Sequence, residues 1–176
     1  MEKRISTQRI YEGKIMALRV DTVVTSSGRL TTREILERPR VVSVLPLDDQ
    51  GNVILVRQFR YAVGRETLEI PAGVVAEGET PLAAARRELR EETGFDAASF
   101  RELVSYRPAI GFSTEHMTIF LAKSLIYAPE KGDEENIRVE RIPFGQLYDM
   151  VVRGDSPLDD AKSIVAILLA RARGEA

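Results

Sequence analysis

Residues 73–95 read GVVAEGETPLAAARRELREETGF, and no other stretch of the chain is as informative. Thr80 and Pro81 predict the start of a helix, because Thr is a favoured N-cap and Pro suits the first helical position. Gly94 predicts its end, since glycine readily adopts the left-handed conformation that follows a helix. Leu89 belongs to an apolar stripe along the predicted helix. We therefore expect this helix to pack one face against a sheet.

Glu88, Glu91 and Glu92 fall at positions i, i+3 and i+4 of this helix, so they share one face. Like charges at that spacing repel, and the negative end of the helix dipole disfavours them further. A divalent cation would compensate, since Mg²⁺ binds carboxylates together with water and substrate phosphates. Arg87, four residues before Glu91, could form a local ion pair. The competing interpretation is a solvated acidic surface.

The rest of the sequence alternates strand and helix patterns, which predicts an α/β fold. Apolar or alternating segments predict strands at residues 16–24, 30–36, 41–47, 53–56, 68–70, 103–106 and 117–122. Helical spacing and glycine stops predict two more helices, at 144–153 and 159–173. Residues 1–40 form an antiparallel strand appendage too polar for a core of its own. We expect it to pack on a second subunit, leaving 41–176 as the catalytic domain.

The composition of the chain argues against several kinds of ligand and binding site. The 176 residues carry a net charge of −2 without a basic block, which argues against nucleic acid as a ligand. No apolar run reaches the roughly 18 residues of a membrane span, and the start of the chain does not resemble a signal peptide. The absence of Cys excludes disulfides and thiolate sites, and suits a cytoplasmic protein. Because His116 is the only histidine, a bound metal needs oxygen ligands, as Mg²⁺ or Mn²⁺ does.

The spacing within 73–95 resembles the signature of the Nudix hydrolase family. The shared positions are Gly73, Glu79, Arg87-Glu88-Leu89, Glu91-Glu92 and Gly94-Phe95. The resemblance implies an α/β/α sandwich with a mixed sheet, and cleavage of a nucleoside diphosphate derivative. It also implies roles for individual residues: Mg²⁺ ligation by Glu88 and Glu92, ligation or orientation by Glu91, ligation by the carbonyl of Ala72, support of the loop by Glu79, and pairing of Arg87 with a glutamate.

Segments outside the signature resemble the ADP-ribose pyrophosphatase branch of that family. They are the N-terminal hairpin, residues 57–61 (RQFRY), residues 67–73 (TLEIPAG) and residues 106–115 (YRPAIGFSTE). In that branch the hairpin domain is exchanged between the subunits of a homodimer and helps to bind adenosine. Ile110 stands where that branch usually has Pro. The alternative substrates are another nucleoside diphosphate sugar or a dinucleotide, and the alternative class is a non-catalytic ADP-ribose-binding regulator.

Several residues outside the predicted helix are candidates for substrate binding or for the catalytic base. Arg60 could contact a diphosphate, because a guanidinium matches phosphate geometry. Glu69, Arg33 and Glu34 are further candidates for substrate binding, with a surface role as the alternative for the hairpin pair. The acidic loop after Gly132 would, by the same resemblance, supply a carboxylate that activates water. The candidates for that base are Glu134 and Glu135, and the sequence does not choose between them.

Overall fold

The computed structural model describes residues 1–130 and 136–176 of the chain. Its elements, in chain order, are β1 (Lys3–Glu12), β2 (Ala17–Val24), β3 (Leu30–Glu37), β4 (Arg40–Pro46), β5 (Asn52–Arg60), β6 (Arg65–Glu69), β7 (Ala72–Val74), α1 (Pro81–Thr93), β8 (Phe95–Tyr106), β9 (His116–Tyr127), β10 (Arg138–Pro143), α2 (Phe144–Arg153) and α3 (Ala161–Ala172). The alternation of strands and helices confirms the predicted α/β class. Across the described ranges, no helix is both long and apolar enough to cross a membrane.

The chain divides into two compact units, and the first consists of Met1–Arg40 and Tyr106–Met117. Strands β1, β2 and β3 form an antiparallel sheet in that order. The segment 106–117 joins this unit through β3, where the Leu36 backbone N–H donates to the Phe112 carbonyl at 2.8 Å. The sequence predicted strands in the appendage of residues 1–40 but gave no bounds for β1. All ten of its residues are exposed, so its sequence carries no pattern of burial to read.

The second unit consists of Val41–Ser105 and Thr118–Ala176 and contains two sheets. Their strand orders are β10-β5-β6 and β7-β4-β9-β8. In each of β4 and β5, consecutive residues have no exposed surface: Val42, Ser43, Val44 and Leu45, then Val53, Ile54, Leu55 and Val56. A strand buried on both faces reads as an unbroken apolar run, which explains the sequence pattern at 41–47 and 53–56.

Helix α1 has the ends that its sequence predicts. Its N-cap, Thr80, accepts a 3.2 Å hydrogen bond from the Ala83 backbone N–H. Gly94 follows the helix with a φ of 76°, a conformation that costs a residue with a side chain more than it costs glycine. Leu89 has no exposed surface and belongs to a cluster that includes Val44 of β4. This packing holds α1 against the four-stranded sheet and fixes which face carries the glutamates.

The remaining helices agree with the prediction, but several strands do not. Strand β7 was not predicted, and β8 begins at Phe95 rather than at residue 103. Helix α2 has the predicted bounds, and α3 begins after an Asp160 N-cap and ends within two residues of the predicted end. Strand β10, with the sequence RVERIP, was not predicted. It pairs antiparallel with β5, where Arg138 lies opposite Arg57 and Pro143 opposite Asn52. None of its residues is buried, so tertiary pairing with β5, rather than its own apolar content, makes it a strand.

Candidate active site

The catalytic candidates meet where the last turns of α1 approach β7. The Glu92 carboxylate accepts a 3.1 Å hydrogen bond from the Ala72 backbone N–H. Glu92 is 7% exposed, which is unusual for a glutamate. An anion placed this way costs desolvation free energy unless donors or cations compensate it. Glu92 is therefore held against the strand whose backbone carbonyl, at Ala72, was predicted to act as a metal ligand.

Glycine at position 73 makes room for the second glutamate. A Cβ built on Gly73 would overlap the carboxylate of Glu88. The side chain of Glu88 is 12% exposed, so it cannot swing far without losing its packing. The requirement at position 73 is therefore space and not a positive φ. The two glutamates that were predicted as metal ligands thus lie against two consecutive residues of β7.

Arg87 holds the acidic cluster together. One nitrogen, Nη1, donates to Glu88 at 2.7 Å and to Glu91 at 3.0 Å, so the predicted pair with Glu91 is present. The guanidinium also donates to both oxygens of Glu79, at 3.1 and 3.2 Å, and to the Val74 carbonyl at 3.0 Å. A planar guanidinium can serve several acceptors at once, which an ammonium group cannot do with the same geometry. Arg87 thereby links the helix to the loop before it.

The charges in this cluster shift one another's pKa values. The hydrogen bond from Arg87 lowers the pKa of Glu79 and outweighs the effect of burial, and a backbone N–H from Ala76 adds to it. The hydrogen bond to Glu79 in turn raises the pKa of Arg87 above its already high value, against the effect of desolvation. Both shifts favour the charged forms of the two groups. The ion pair between Arg87 and Glu79 therefore stabilises the loop between β7 and α1.

The donors in this cluster fit an oxygen-binding divalent cation. Across residues 1–130 and 136–176, no three His, Asp or Glu side chains stand close enough together to hold an ion by themselves. Mg²⁺ does not require three, because it commonly binds one or two carboxylates and completes its octahedron with water and phosphate oxygens. Glu88 and Glu92 supply two carboxylates from one rigid helix, and Ala72 supplies a neighbouring backbone carbonyl. This donor set is hard and all-oxygen, which suits Mg²⁺ or Mn²⁺.

A second polar cluster in the same unit contains two of the predicted substrate-binding residues. Arg60 donates to both oxygens of Glu69, at 2.8 and 3.0 Å. Thr67 donates to Glu69 at 2.6 Å, and Lys162 of α3 donates to it as well. Burial alone would raise the pKa of Glu69, but these donors and cations lower it from 4.5 to about 2. Sequence reasoning missed Lys162, because 93 residues separate it from Glu69 and nothing local marks it.

The other two predicted substrate-binding residues lie in the first unit. Arg33 and Glu34 border a groove of about 280 Å³. Its remaining lining comes from Arg19, Ile35 and the segment 110–114. Arg33 is also engaged within the unit, since it donates to the carboxylate of Glu2 at 2.5 and 3.1 Å. The groove combines charged and apolar walls, which is a composition suited to a small organic ligand.

The predicted loop carboxylates, Glu134 and Glu135, lie outside the described residues. Glu115 accepts a 3.0 Å hydrogen bond from Arg38 in the first unit. His116 begins β9 and is partly buried. Glu134 and Glu135 stay the predicted candidates for the base.

Comparison with known proteins identifies families for nearly the whole chain. The model for the NUDIX domain matches residues 37–163. The model described as the nucleoside diphosphate sugar hydrolase N-terminal domain matches residues 2–36. The two matches meet between residues 36 and 37. The predicted fold, with a mixed sheet, flanking helices and antiparallel N-terminal strands, is confirmed by these matches and by a solved structure described next.

Several named proteins are similar to this chain over most of its length. An ADP-ribose pyrophosphatase of Bacillus subtilis is 35% identical over 94% of this chain and 90% of its own length. An ADP-ribose pyrophosphatase of Mycobacterium tuberculosis is 37% identical over 86% of this chain and 75% of its own. A methanol dehydrogenase activator of Bacillus methanolicus is 36% identical, with coverages of 94% and 90%. A crystal structure of an ADP compounds hydrolase superposes with a TM-score of 0.88 at 24% identity, covering 99% of this chain and 95% of the other.

Proposed function

This chain belongs to the Nudix family, and from that premise we propose that it hydrolyses the diphosphate bond of ADP-ribose, giving AMP and ribose 5-phosphate. The main structural support for this reaction is the acidic cluster on α1. Glu88 and Glu92 lie against β7, and Arg87 donates a hydrogen bond to Glu88. The names of the two pyrophosphatase relatives support ADP-ribose as the substrate.

Glu88, Glu92 and the carbonyl of Ala72 would hold Mg²⁺ or Mn²⁺, with Glu91 as a further ligand or as a group that orients one. When bound, such a cation neutralises diphosphate oxygens and lowers the pKa of a water molecule towards neutrality. The protein's own contribution is to keep these carboxylates in place before the substrate arrives. Arg87 does so by binding Glu88 and Glu91 through one nitrogen, which fixes their separation. Preorganisation of this kind is the main contribution a protein makes to phosphoryl transfer.

In the proposed reaction, the oxygen of a water molecule attacks the adenosyl phosphorus. The bond from that phosphorus to the bridging oxygen breaks, and the bridging oxygen leaves with ribose 5-phosphate. Glu134 or Glu135 accepts the proton that the water loses. A base separate from the metal ligands is effective, because a bound cation reduces the basicity of the carboxylates that hold it. Arg60 contacts the diphosphate and is held in place by Glu69. Arg33 and Glu34 reach the nucleotide that is bound by the partner subunit.

We further propose that the protein is a cytoplasmic homodimer in which residues 1–40 complete the site of the partner subunit. Strand β1 supports this, because it is an edge of its sheet and is exposed along its whole length. Its exposed side chains include the apolar Ile5, Ile10 and Tyr11. An exposed edge strand with apolar side chains is a common site of pairing with another chain. The proposed cytoplasmic location follows from the absence of Cys.

The deciding experiment is a substrate panel assayed with Mg²⁺ and with product identification. The panel contains ADP-ribose, other ADP-sugars, GDP-mannose and a dinucleotide. We expect ADP-ribose to give the highest kcat/KM, with AMP and ribose 5-phosphate as products. A higher kcat/KM for another nucleoside diphosphate sugar or for a dinucleotide would show that ADP-ribose is not the preferred substrate. The proposed reaction, hydrolysis of a diphosphate bond, would still stand. Tight binding of ADP-ribose without turnover, with every metal tested, would instead indicate a regulator.

A further inference from the structure

Two of the proposed metal-binding glutamates lie in the last turn of a helix. Helix α1 ends at Thr93, so Glu91 and Glu92 occupy the two positions before its end. Helix ends open at little cost in free energy, because their last carbonyl groups lack partners within the helix. A metal site built on this turn therefore depends on the contacts that keep the turn in place.

Arg90 connects this last turn to residues that follow it in the chain. Its Nε donates to Glu130 at 2.7 Å, and its Nη1 donates to Asp96 at 3.3 Å. Asp96 is the second residue of β8, and Glu130 follows the end of β9. The backbone makes parallel contacts, since the Gly94 N–H donates to the Arg90 carbonyl at 2.9 Å and the Gly94 carbonyl accepts the Ala128 N–H at 2.9 Å. One side chain thus joins the helix end to two other segments.

Arg90 does not belong to the helix face that carries Glu88 and Glu92. It lies two residues from each of them, which corresponds to about 200° around the helix axis. Its side chain is 29% exposed and is directed to Asp96 and Glu130. An effect of Arg90 on the two glutamates is therefore transmitted by the backbone of the helix.

We propose that Arg90 is a positioning residue for the metal site: by joining the last turn of α1 to Asp96 and Glu130, it holds Glu91 and Glu92 where a divalent cation binds them. This inference rests on the proposed function, since it assumes that Glu92 is a metal ligand. Arg90 itself contacts neither the cation nor the substrate.

The sign of the effect separates positioning from electrostatics. Arg90 is a cation, so removing its charge by itself makes the acidic cluster more attractive to a divalent cation. Opening of the last turn acts in the opposite direction, because it moves Glu91 and Glu92 away from Glu88. Weaker binding of a cation after the loss of Arg90 therefore cannot come from the change of charge.

Arg86 provides a matched control one turn earlier in the same helix. Its Nη1 donates to Asp96 at 2.7 Å and to the Ala97 carbonyl at 3.2 Å. Its guanidinium lies 4.6 Å from the centre of the Phe100 ring. Arg86→Met therefore removes the same charge and a comparable ion pair, while the contacts of the last turn remain.

The test measures Mn²⁺ binding without substrate, from the electron paramagnetic resonance signal of the free ion, together with amide hydrogen exchange. For Arg90→Met we expect the dissociation constant to rise about tenfold, which is typical when a residue that supports a metal ligand is lost. Amide exchange at residues 91–94 should become faster. Arg86→Met should bind Mn²⁺ as tightly as the wild type or slightly more tightly.

Two further variants at the same position keep the test decisive. Arg90→Lys should restore part of the affinity, since an ammonium group keeps the charge but cannot serve two carboxylates with the geometry of a guanidinium. Arg90→Gln, also a good helix former, carries the same expected loss as Arg90→Met and replaces it if that variant folds poorly.

Unchanged or tighter Mn²⁺ binding in the neutral variants of Arg90 would overturn the proposal. An equal loss of affinity in Arg86→Met would also overturn it, because the effect would then be one of general helix stability.

Glu92→Gln distinguishes failure of this inference from failure of the proposed function. If Glu92→Gln does not weaken Mn²⁺ binding, the assignment of the metal ligands is wrong, and the role of Arg90 falls with it. If Glu92→Gln weakens binding and Arg90→Met does not, only the role of Arg90 is wrong. The identity of the nucleotide substrate does not affect the result, since none is added.

Discussion

The carboxylate of Glu92 and the backbone N–H of Ala72 lie 3.1 Å apart, although 20 residues separate them in the chain. This hydrogen bond joins the last turn of α1 to the strand in front of it. It orients a buried anion towards the segment that carries a neighbouring backbone carbonyl. The site therefore depends on how the helix packs on the sheet, as well as on which residues the helix carries.

The first prediction concerns this glutamate. Glu92→Gln keeps an acceptor for the Ala72 N–H but loses the charge that binds a cation, so we expect kcat to fall by about 10²-fold or more with the fold intact. Thermal unfolding without metal should change little, since a like charge on the helix is removed. Glu77→Gln, at an exposed position in the preceding loop, is the control. Near-normal turnover of Glu92→Gln at limiting Mg²⁺ would rule out ligation by Glu92.

The second prediction uses the close approach at Gly73. In Gly73→Ala the new methyl group would overlap the Glu88 carboxylate, which must move away. We expect a lower kcat and a higher Mg²⁺ concentration for half-maximal activity. Gly145→Ala is the matched control: a Cβ there meets nothing within 4 Å, and the change should stabilise α2 by about 0.5–1 kcal/mol. The same Mg²⁺ requirement in both variants would contradict the proposed crowding of Glu88.

The third prediction concerns pH and stability. The pKa of Glu69 is lowered from 4.5 to about 2 in the folded protein, so its ionised form stabilises the fold above pH 4.5. That contribution, of the order of 3 kcal/mol, is lost as the pH falls towards 2. We expect the difference in unfolding free energy between the wild type and Glu69→Gln to shrink over this interval in urea titrations. A direct ¹³C NMR titration giving Glu69 a pKa near 4.5 would refute this.

The fourth prediction concerns the loop carboxylates. We expect one of Glu134→Gln and Glu135→Gln to lower kcat by about 10²-fold or more, with little change in KM, because that is the usual effect of losing a general base. The other variant should be nearly silent and serves as its control. If both single variants and the double variant keep the wild-type kcat at saturating Mg²⁺, the base is elsewhere, and Glu115 is the next residue to test.

The fifth prediction concerns assembly. We expect sedimentation to show a homodimer, because β1 exposes apolar side chains along an unpaired edge. Replacing Ile5 and Ile10 together by Lys should weaken the dimer and lower activity in parallel. Leu168→Lys, at a partly exposed position of α3, is a control that should leave the association state unchanged. A fully active monomer at the assay concentration would exclude a site completed by the partner.

The sequence by itself determined the bounds of helix α1 and the spacing of its glutamates. Thr80, Pro81 and Gly94 act within one turn of their own position, so the ends of α1 follow from local capping. The spacing of Glu88, Glu91 and Glu92 follows from helical periodicity in the same way. The buried strands β4 and β5 could also be predicted, because burial on both faces favours a nearly continuous run of apolar residues.

Only the tertiary structure decided which distant groups meet. Strands β1 and β10 have exposed, polar sequences, so they form by pairing with a neighbouring strand and leave no pattern to read. The contact between Glu92 and Ala72 depends on how α1 packs against the sheet. Lys162, at the start of α3, reaches Glu69, at the end of β6, although 93 residues separate them in the chain. Periodicity and capping depend on interactions between residues that are a few positions apart in the sequence. The contacts described here depend instead on how whole strands and helices pack.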